Sequence, residues 1–448
     1  MSDYMFMLES HLGTEQNRVV SEVQAAAAEA NASVFLTGGA MRDMLGGFPI
    51  RDLDFTIESG AALKIAKAVA KKTGARVLEA DEHRKSAELL FPGGVTAAIS
   101  MARRETASKH GARPAVTPAT IHEDLRGRDF TVNAVALSLN RASRGLLIDP
   151  TNGLGDLEHK ELRATYNYGL YDDPLRILRL IRLRVRLGFT VEEKTRLQYA
   201  NVRAERLEER IPARKRAEEL RRIADEPTAA DIFRTLEEEK LLYLFSPALT
   251  GAKVNVHGLV KLHKAMQLIP FGVRLPLDNF GLFMYAVTEK LTPKERAGLI
   301  KATAMRQSEV NAWRKLEPRS KKLERVLKSA KLSRPSQVYE ALYRAAGEEV
   351  LFLLTRSPLR LVQDRVRNYL QKYLPAAQEV TDEEVQAKGA APGTAKFHRI
   401  KQELIAARLN ARPKRVVPEP VAEAAQASEP APPAGALRKP LTRQPSAR

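Results

Sequence analysis

Residues 34–57 read VFLTGGAMRDMLGGFPIRDLDFTI, and this stretch decides the fold of the N-terminal region. An apolar run at residues 34–37 leads into a pair of glycines, and a second run follows at residues 52–57. The second run alternates acidic and apolar side chains, which is the period-2 pattern of a strand with one polar face. The stretch therefore predicts two strands that are joined through a glycine turn.

Asp52 and Asp54 are the acidic residues of the second predicted strand. As residues i and i+2 they point to the same face, about 7 Å apart along the strand. Two like charges in this position are costly unless a cation lies between them, and hard oxygen ligands that act with substrate phosphates suggest Mg²⁺. The alternative is a solvated strand face that binds nothing. The glycine turn 13 residues upstream favours the metal.

The turn Gly38-Gly39 is followed one helical turn later by Arg42. Adjacent glycines allow backbone N–H groups to approach an anion closely, and an arginine supplies a rigid pair of donors for phosphate. The sequence does not contain the GxxxxGK[ST] pattern of a P-loop. A glycine pair before a helix is often only a turn, so this feature needs support from the rest of the chain.

The segments around this stretch predict a mixed α+β region followed by helices. Apolar periodicity indicates helices over residues 14–31 and 61–72, and further strands of the same sheet near residues 95–101 and 131–139. From about residue 166 the pattern changes to successive helices. Residues 411–448 are rich in proline and alanine and contain no aromatic residue, which predicts a disordered tail.

Composition limits the class of protein. The 448 residues are too many for one compact core, and none is cysteine, which excludes disulfides, thiol catalysis and thiolate metal sites. A chain without cysteine suits a reducing cytosol, so we expect a cytoplasmic protein. We find neither an apolar run of membrane-spanning length nor an export signal. The net charge of +19 favours a polyanionic partner, either nucleic acid or an anionic membrane surface.

Three further motifs follow the glycine turn and the acidic pair. They read DLRGRDFTVNA at residues 124–134, DPTNGLGDL at 149–157 and YDDPLRILRLIR at 171–182. The ordered series closely resembles the class II tRNA nucleotidyltransferase and bacterial poly(A) polymerase family, whose motifs run GGxxRD, DxD, RRDFTxNA, DPxxGxxDL and [ED]DPxRxLRxxR. The resemblance covers roughly residues 14–225, and beyond them it is only a shared helical character.

This resemblance implies an α+β head with the polymerase-beta-like nucleotidyltransferase fold, a mixed β-sheet with helices. Asp52 and Asp54 match the metal-binding pair of the family, which would hold two Mg²⁺ ions that activate an RNA 3′-hydroxyl and stabilise the pyrophosphate leaving group. The remaining matched positions of the head contact the incoming nucleotide, and they are Gly38, Gly39, Arg42 and Arg128.

The fifth motif implies a way to select the nucleotide without a template. By resemblance, Asp173 and Arg176 would read the Watson–Crick edge of the incoming base, since adenine and cytosine share an exocyclic amine beside a ring acceptor. Arg179 and Arg182 match further nucleotide-contacting arginines. Because each step of three residues turns about 60° backward around the helix, Arg182 should not share the face of Asp173. Its alternative is a solvated basic face.

The sequence departs from the family pattern at three positions. The family usually has an acidic residue where this chain has Ala98, and Gly127 replaces the first arginine of RRDF. Asp172 replaces the usual glutamate of the fifth motif. The missing carboxylate at Ala98 could weaken metal binding, although the two matched metal ligands are intact.

The family resemblance predicts four regions and a function. The regions are a catalytic head at residues 1–165, a helical neck for base selection at 166–245, a helical RNA-binding body and tail at 246–410, and the disordered segment at 411–448. The expected activity is addition of CCA, or part of it, to tRNA 3′ ends from CTP and ATP. A poly(A) polymerase that uses ATP, enzymes that add only CC or only A, and a catalytically silent RNA-binding protein remain alternatives. The oligomeric state stays open.

The positive charge is unevenly distributed. Residues 1–165 carry a net charge of −1, residues 166–410 carry +16, and residues 411–448 carry +4. The sequence therefore predicts a nearly neutral catalytic head and a helical region that binds RNA through its positive charge.

Overall fold

The computed structural model describes residues 3–106 and 114–411. Most strands lie in the first 150 residues, as the alternation predicts. The strands are β1 (Ser33–Thr37), β2 (Asp52–Glu58), β3 (Arg76–Asp81), β4 (Ser86–Leu90), β5 (Thr96–Met101), β6 (Arg103–Thr106), β7 (Ala115–Pro118), β8 (Ala136–Ser138), β9 (Leu147–Ile148), β10 (Glu161–Leu162) and β11 (Thr190–Val191).

Within the described residues, seven strands form one mixed sheet in the order β3-β4-β5-β2-β1-β8-β9. The pair β2–β5 is parallel, and the other neighbours in the sheet are antiparallel. The two strands predicted at residues 34–37 and 52–57 lie side by side in the middle of this sheet. Strands β6 and β7 form a separate hairpin.

The alternation in β2 has a direct physical result. Leu53, Phe55 and Ile57 are buried in the core of the head, whereas Asp52 is exposed and Asp54 is half-buried on the other face. Burial of these apolar side chains fixes the register of the strand, since a shift by one residue would place the carboxylates in the core. The core of the head therefore determines where the two aspartates lie.

The helices of the head cover and flank the sheet. They are α1 (Asp3–His11), α2 (Thr14–Glu29), α3 (Gly38–Leu45), α4 (Ala62–Thr73), α5 (Ile121–Arg126) and α6 (Gly153–Glu158). The helices predicted at residues 14–31 and 61–72 are confirmed as α2 and α4. The strand predicted at residues 131–139 is shorter, because residues 131–133 form a 3₁₀ turn before β8.

The rest of the described chain is almost entirely helical. Its helices are α7 (Gly169–Asp172), α8 (Leu175–Leu187), α9 (Glu193–Ala204), α10 (Ala213–Ala224), α11 (Ala229–Glu238), α12 (Val256–Met266), α13 (Asn279–Thr288), α14 (Pro293–Thr303), α15 (Gln307–Leu327), α16 (Pro335–Tyr343), α17 (Gly347–Arg356), α18 (Arg360–Asn368), α19 (Leu374–Gln378), α20 (Asp382–Gln386) and α21 (Ala395–Asn410). The expectation of no strand after residue 166 is wrong at β11, which pairs with β10 over two residues and is too short for alternation to reveal.

Three large hydrophobic cores hold these elements together. One lies in the head, and another lies among the helices from α12 onward. The third begins at Phe130 of the head, continues through α8 and extends to Trp313 in α15. Packing is thus continuous across residues 165 and 245, and the predicted domain boundaries there stay a proposal. The predicted disordered tail lies outside the described residues apart from Ala411.

Candidate active site at the junction of head and neck

The glycine turn packs directly against the acidic strand. Gly38 has a left-handed backbone conformation (φ +65°), and a Cβ at this position would lie 2.9 Å from Oδ2 of Asp54. The backbone N–H of Gly39 donates a hydrogen bond to the same oxygen at 3.0 Å. Only glycine permits both the conformation and the close approach. The turn and the acidic pair, which are separate motifs in the sequence, therefore form one site.

The two aspartates have different surroundings. Burial raises the pKa of Asp54 above its ordinary value; the charge of Arg128 opposes this rise, and the Asp52 carboxylate adds to it. Asp52 is exposed, and no donor or cation within the described residues pairs with its carboxylate. Two hard oxygen ligands on one strand face, one of them unpaired, fit a magnesium ion.

A metal at this pair would need ligands from outside the protein. In the described parts of the chain, no group of three or more histidine, aspartate or glutamate side chains is placed to hold a metal ion. Magnesium commonly binds to one or two carboxylates together with substrate phosphates and water. The donor set of Asp52 and Asp54 matches that pattern.

Arg128 lies beside the same turn. Its Nη2 donates to the hydroxyl oxygens of Thr37 and Thr56 at 3.1 and 3.0 Å and to Oδ2 of Asp124 at 2.9 Å. Nη1 lies 3.1 Å from the place of a Cβ on Gly38. These bonds hold the guanidinium rigidly at the glycine turn, where its positive charge faces the acidic pair.

Arg42 is buried and fully engaged with neighbouring residues. Its Nε and Nη2 donate to Oδ1 of Asp43 at 2.9 and 2.7 Å, and Nη1 donates to the side-chain oxygen of Asn133 at 2.8 Å. The guanidinium thus links α3 to the RRDF-like segment. Its predicted contact with a nucleotide stays a prediction, since its donors are satisfied within the protein.

Asp173 and Arg176 lie together at the start of α8. Oδ1 of Asp173 accepts a hydrogen bond from the backbone of Leu175 at 3.2 Å, and Oδ2 lies 4.0 Å from Nε of Arg176. The Asp173 side chain is 48% exposed, whereas Arg176 is only 9% exposed. The predicted base-reading pair therefore has one member at the mouth of the site and one at its floor.

The Arg176 guanidinium is anchored to the head. Its Nη1 and Nη2 donate to the backbone oxygens of Arg128 and Gly127 at 3.1 and 3.2 Å. Its Nε is buried and has no hydrogen-bond partner in the described structure. A buried donor without a partner is costly, so this atom is available to a ligand on the side of Asp173.

Arg179 is paired within the protein. Its Nη1 donates to Oδ2 of Asp129 at 2.6 Å, and Asn133 donates to Oδ1 of the same carboxylate at 3.0 Å. Burial acts to raise the pKa of Asp129, but the charges of Arg179 and Arg176 outweigh it and hold the pKa well below its ordinary range. Arg179 is connected to the site by its ion pair with Asp129. Its direct contact with a nucleotide stays a prediction.

Arg182 does not join this group. It is 6% exposed, and it donates to Glu219 at 2.6 Å and to Glu226 at 3.1 Å. The alternative of a solvated basic face is wrong, because the side chain is buried between two carboxylates of the neck. The expectation that Arg182 lies away from the face of Asp173 agrees with these contacts.

Ala98, which stands where the family usually has an acidic residue, lies beside Asp54 in the sheet. The pairings β2–β5 and β5–β4 place Asp54, Ala98 and Glu88 opposite one another in one row of the sheet. Side chains directly opposite each other in a sheet share a face. The carboxylate that the family has at this position is therefore missing next to Asp54, and the next acidic side chain of the row is one strand farther away.

Sequence reasoning missed several residues that hold the site together. Asn133 connects Arg42 to Asp129, and its place in the NA of the third motif was the available signal. Glu226 is 5% exposed and pairs with three arginines, one just before β2 and two on α8. No spacing in the sequence relates it to these partners.

Comparison with known proteins identifies the head. Residues 34–163 match the family described as the poly A polymerase head domain. The A-adding tRNA nucleotidyltransferase of Aquifex aeolicus is 40% identical over 161 residues, which are 36% of this chain and 19% of that protein. The A-adding tRNA nucleotidyltransferase of Geobacter sulfurreducens is 26% identical over 425 residues, which are 91% of this chain and 47% of that protein. The chain thus spans less than half the length of either relative.

A solved structure supports the fold. The apo form II of a CCA-adding enzyme matches with a TM-score of 0.52 at 23% identity and covers 92% of this chain and 96% of that one. Among the described residues, no helix is long and apolar enough to cross a membrane. The match over residues 34–163 thus relates the head to the poly A polymerase head domain, and the solved structure shows that the fold of the chain is similar to that of a CCA-adding enzyme.

Proposed function

We propose that this chain is a template-independent RNA 3′-nucleotidyltransferase that adds CCA, or part of it, to tRNA 3′ ends from CTP and ATP. One observation carries the proposal. The acidic pair with its glycine turn meets Asp173 and Arg176 at one junction, and Arg176 donates to the backbone of Arg128. A site for transfer chemistry and a site for reading a base are thereby adjacent.

Asp52 and Asp54 are the residues that would hold Mg²⁺, two ions by resemblance to the family. When bound, the ions supply electrostatic stabilisation of the attacking and leaving oxygens in an in-line displacement. The free carboxylate of Asp52 and the half-buried carboxylate of Asp54 support this assignment.

The residues of the turn would bind the triphosphate. The backbone of the glycine turn, where Gly39 is half-buried, and the fixed guanidinium of Arg128 place N–H dipoles and positive charge next to the acidic pair. In the transfer, the RNA 3′-oxygen forms a bond to the α-phosphorus, and the bond to the pyrophosphate oxygen breaks. The protein contributes mainly position and charge to such a reaction.

Asp173 and Arg176 would select the base. The Asp173 carboxylate accepts a hydrogen bond from the exocyclic amine of adenine or cytosine, and the unpaired Nε of Arg176 donates to the ring nitrogen beside it. Guanine and uracil present a carbonyl and an N–H at these places. They would leave the buried Nε of Arg176 unpaired and set a carbonyl oxygen against the Asp173 carboxylate, which costs several kcal/mol.

The helical region would bind tRNA. Residues 166–410 carry a net charge of +16, and duplex RNA is recognised largely through its phosphates and 2′-hydroxyls. We propose the divisions at residues 165 and 245 as functional rather than folding boundaries. We also propose a cytoplasmic location, as the absence of cysteine and a tRNA substrate suggest.

A second candidate is addition of the terminal A alone. The Aquifex and Geobacter relatives are both named A-adding tRNA nucleotidyltransferases. A poly(A) polymerase of the same family would also use ATP. These activities need the same head and the same base-reading pair, so the products must distinguish them.

One assay separates these functions. The protein is incubated with Mg²⁺, labelled CTP and ATP, and three RNAs: tRNA that lacks CCA, tRNA that ends in CC, and an unstructured RNA. We expect C, C and A on the first RNA and a stop thereafter. Addition only to the tRNA ending in CC indicates the A-adding enzyme, and two C residues alone indicate a CC-adding one. Long A tracts on the unstructured RNA indicate a poly(A) polymerase. RNA binding without incorporation indicates a catalytically silent RNA-binding protein.

The Asp54→Ala substitution tests the transfer site. Loss of a metal-binding carboxylate removes several kcal/mol of transition-state stabilisation, so we expect incorporation to fall by about three orders of magnitude or more. The affinity for tRNA, measured by filter binding, should be unchanged. Asp231→Ala, which alters an exposed aspartate on α11, is the matched control and should incorporate normally. Incorporation by Asp54→Ala at the wild-type rate would contradict the assignment.

A further inference from the structure

The Arg176 guanidinium packs against two residues that lie outside the family motifs, Tyr166 and Gly169. Its central carbon is 5.3 Å from the centre of the Tyr166 ring, close enough for a cation–π contact. Gly169, at the start of α7, lies on the same guanidinium, because a Cβ there would be 2.9 Å from Nη1 of Arg176. Together with the backbone oxygens of Gly127 and Arg128, these residues surround the group.

Gly169 is informative because its backbone does not require glycine. Its φ angle lies outside the left-handed region, so alanine can adopt the same conformation. The other atoms nearest to an added Cβ belong to the Tyr166 ring at 3.7 and 3.8 Å, which is ordinary van der Waals contact. An added methyl group would therefore collide with one atom only, Nη1 of Arg176.

That collision would reach the base-reading atom. A guanidinium is planar and rigid, so displacement of Nη1 also moves Nε. The Nη1 bond to the Arg128 backbone at 3.1 Å would lengthen, and Nε would leave its place 4.0 Å from Asp173. A hydrogen bond weakens steeply as its distance and angle depart from the optimum.

We propose that Gly169 and Tyr166 are positioning residues, which fix the Arg176 guanidinium and thereby set the discrimination of cytosine and adenine from uracil and guanine. This inference rests on the proposed function. Neither residue touches the nucleotide in this scheme: Gly169 leaves the space that the guanidinium occupies, and the Tyr166 ring supports its face.

The test compares Gly169→Ala with Gly298→Ala. Gly298 lies in α14, and a Cβ there meets nothing within 4 Å, so the control adds the same methyl group in open space. We measure kcat and KM for CTP, ATP, UTP and GTP on the tRNA substrate that the wild-type protein extends. For Gly169→Ala we expect the preference for the correct base to fall by about tenfold or more, with an unchanged Tm. Gly298→Ala should keep the wild-type preference.

A double mutant separates positioning from a general structural effect. Without the guanidinium there is nothing for the methyl group to displace, so Gly169→Ala should reduce the preference no further in an Arg176→Ala background. Tyr166→Phe should retain the preference, because it keeps the ring, whereas Tyr166→Leu should lower it. Equal losses by Gly169→Ala in both backgrounds, or an undiminished preference in Gly169→Ala, would overturn the inference.

The proposed function fails separately from this inference. If the wild-type protein incorporates no nucleotide into any of the RNAs, the function itself is wrong. If the wild-type protein incorporates nucleotides selectively and Gly169→Ala is equally selective, the function stands and the positioning role is wrong.

Discussion

Asp129 receives three hydrogen bonds in the interior of the junction. Arg179 and Asn133 donate to its two oxygens, and the backbone N–H of Phe130 donates to Oδ1 at 2.8 Å. This carboxylate joins α8 to the segment that carries Arg128. Arg179, which the family pattern assigns to the nucleotide, is thus also part of the structural frame of the site.

Substitution of Asp129 should have a pH-dependent cost. Its pKa is lower in the folded protein than in the unfolded chain, so the interaction stabilises the fold above about pH 4 and loses this effect as the pH falls further. Asp129→Asn should lower the free energy of unfolding at pH 7 by about 3 kcal/mol, the cost of leaving a buried arginine unpaired.

Urea unfolding at pH 7 and at pH 3.5 measures this effect. The difference between Asp129→Asn and wild type should shrink at the lower pH, because the unfolded wild-type chain then binds a proton at Asp129 that the folded protein excludes. Asp231→Asn, which removes an exposed ion pair with Arg234, should change stability by less than about 1 kcal/mol at either pH. An equal loss in Asp129→Asn at both pH values would contradict the linkage.

Sequence reasoning at the residue scale succeeded where residues act through spacing. The i, i+2 spacing of Asp52 and Asp54 indicated one strand face, and the family motif brought Asp173 and Arg176 together. Tyr166 and Asn133 could not be predicted in the same way. They act through tertiary contacts with side chains whose orientation only the fold determines.

Helix α8 carries the connection between the head and the neck. Its arginines contact different acceptors in turn: Arg179 reaches Asp129, Arg182 reaches Glu219, and Arg186 donates to Oδ2 of Asp43 at 2.6 Å. The spiral of arginines that three-residue spacing predicts is present, but these arginines attach the helix to acceptors on the surrounding elements. The helix ends at Gly188, which has φ +68°.

Glu226 is the residue on which this fastening depends. It pairs with Arg51 at 3.0 Å, just before the acidic strand, and with Arg182 and Arg186 of α8 at 3.1 and 3.6 Å. Glu226→Gln keeps the shape but removes a buried charge beside the buried Arg182 and the partly buried Arg186, so we expect the free energy of unfolding to fall by about 3–5 kcal/mol.

Chemical denaturation at neutral pH checks this expectation. The matched control is Glu193→Gln, which affects an exposed pair with Arg196 and should cost less than about 1 kcal/mol. Similar stability of the two variants would show that Glu226 does not stabilise the junction of head and neck. The partners of Glu226 lie far apart in sequence, which is why helix patterns alone could not reveal it.

At the scale of the whole molecule, part of the positive charge lies on the exposed surface of α15. This helix exposes a series of basic side chains that form no ion pair with any residue the structure describes: Arg314, Lys315, Arg319, Lys322 and Arg325. The composition predicted a positive helical region, but only the folded helix shows which cations face outward together.

The α15 surface should contribute to the salt dependence of RNA binding. Replacing Lys315, Arg319 and Lys322 with glutamine should lower the slope of log K against log salt by about two to three, if each contacts a phosphate. The matched control replaces three exposed cations of the head, Lys64, Lys71 and Arg76, and should leave the slope unchanged. Filter binding at several salt concentrations measures both. Equal changes in the two triple variants would contradict a localised RNA surface.

The hydrophobic core that runs from Phe130 to Trp313 has a consequence for how such a protein can be divided. A fragment that stops after the head, at residue 165, would leave Phe130 and Leu162 without the α8 side chains that cover them. It would expose apolar surface and lose the hydrogen bond from Arg176 to the backbone of Arg128 at the same time. A portion that is transplanted between proteins or inherited as a working module must therefore include at least the head together with α8.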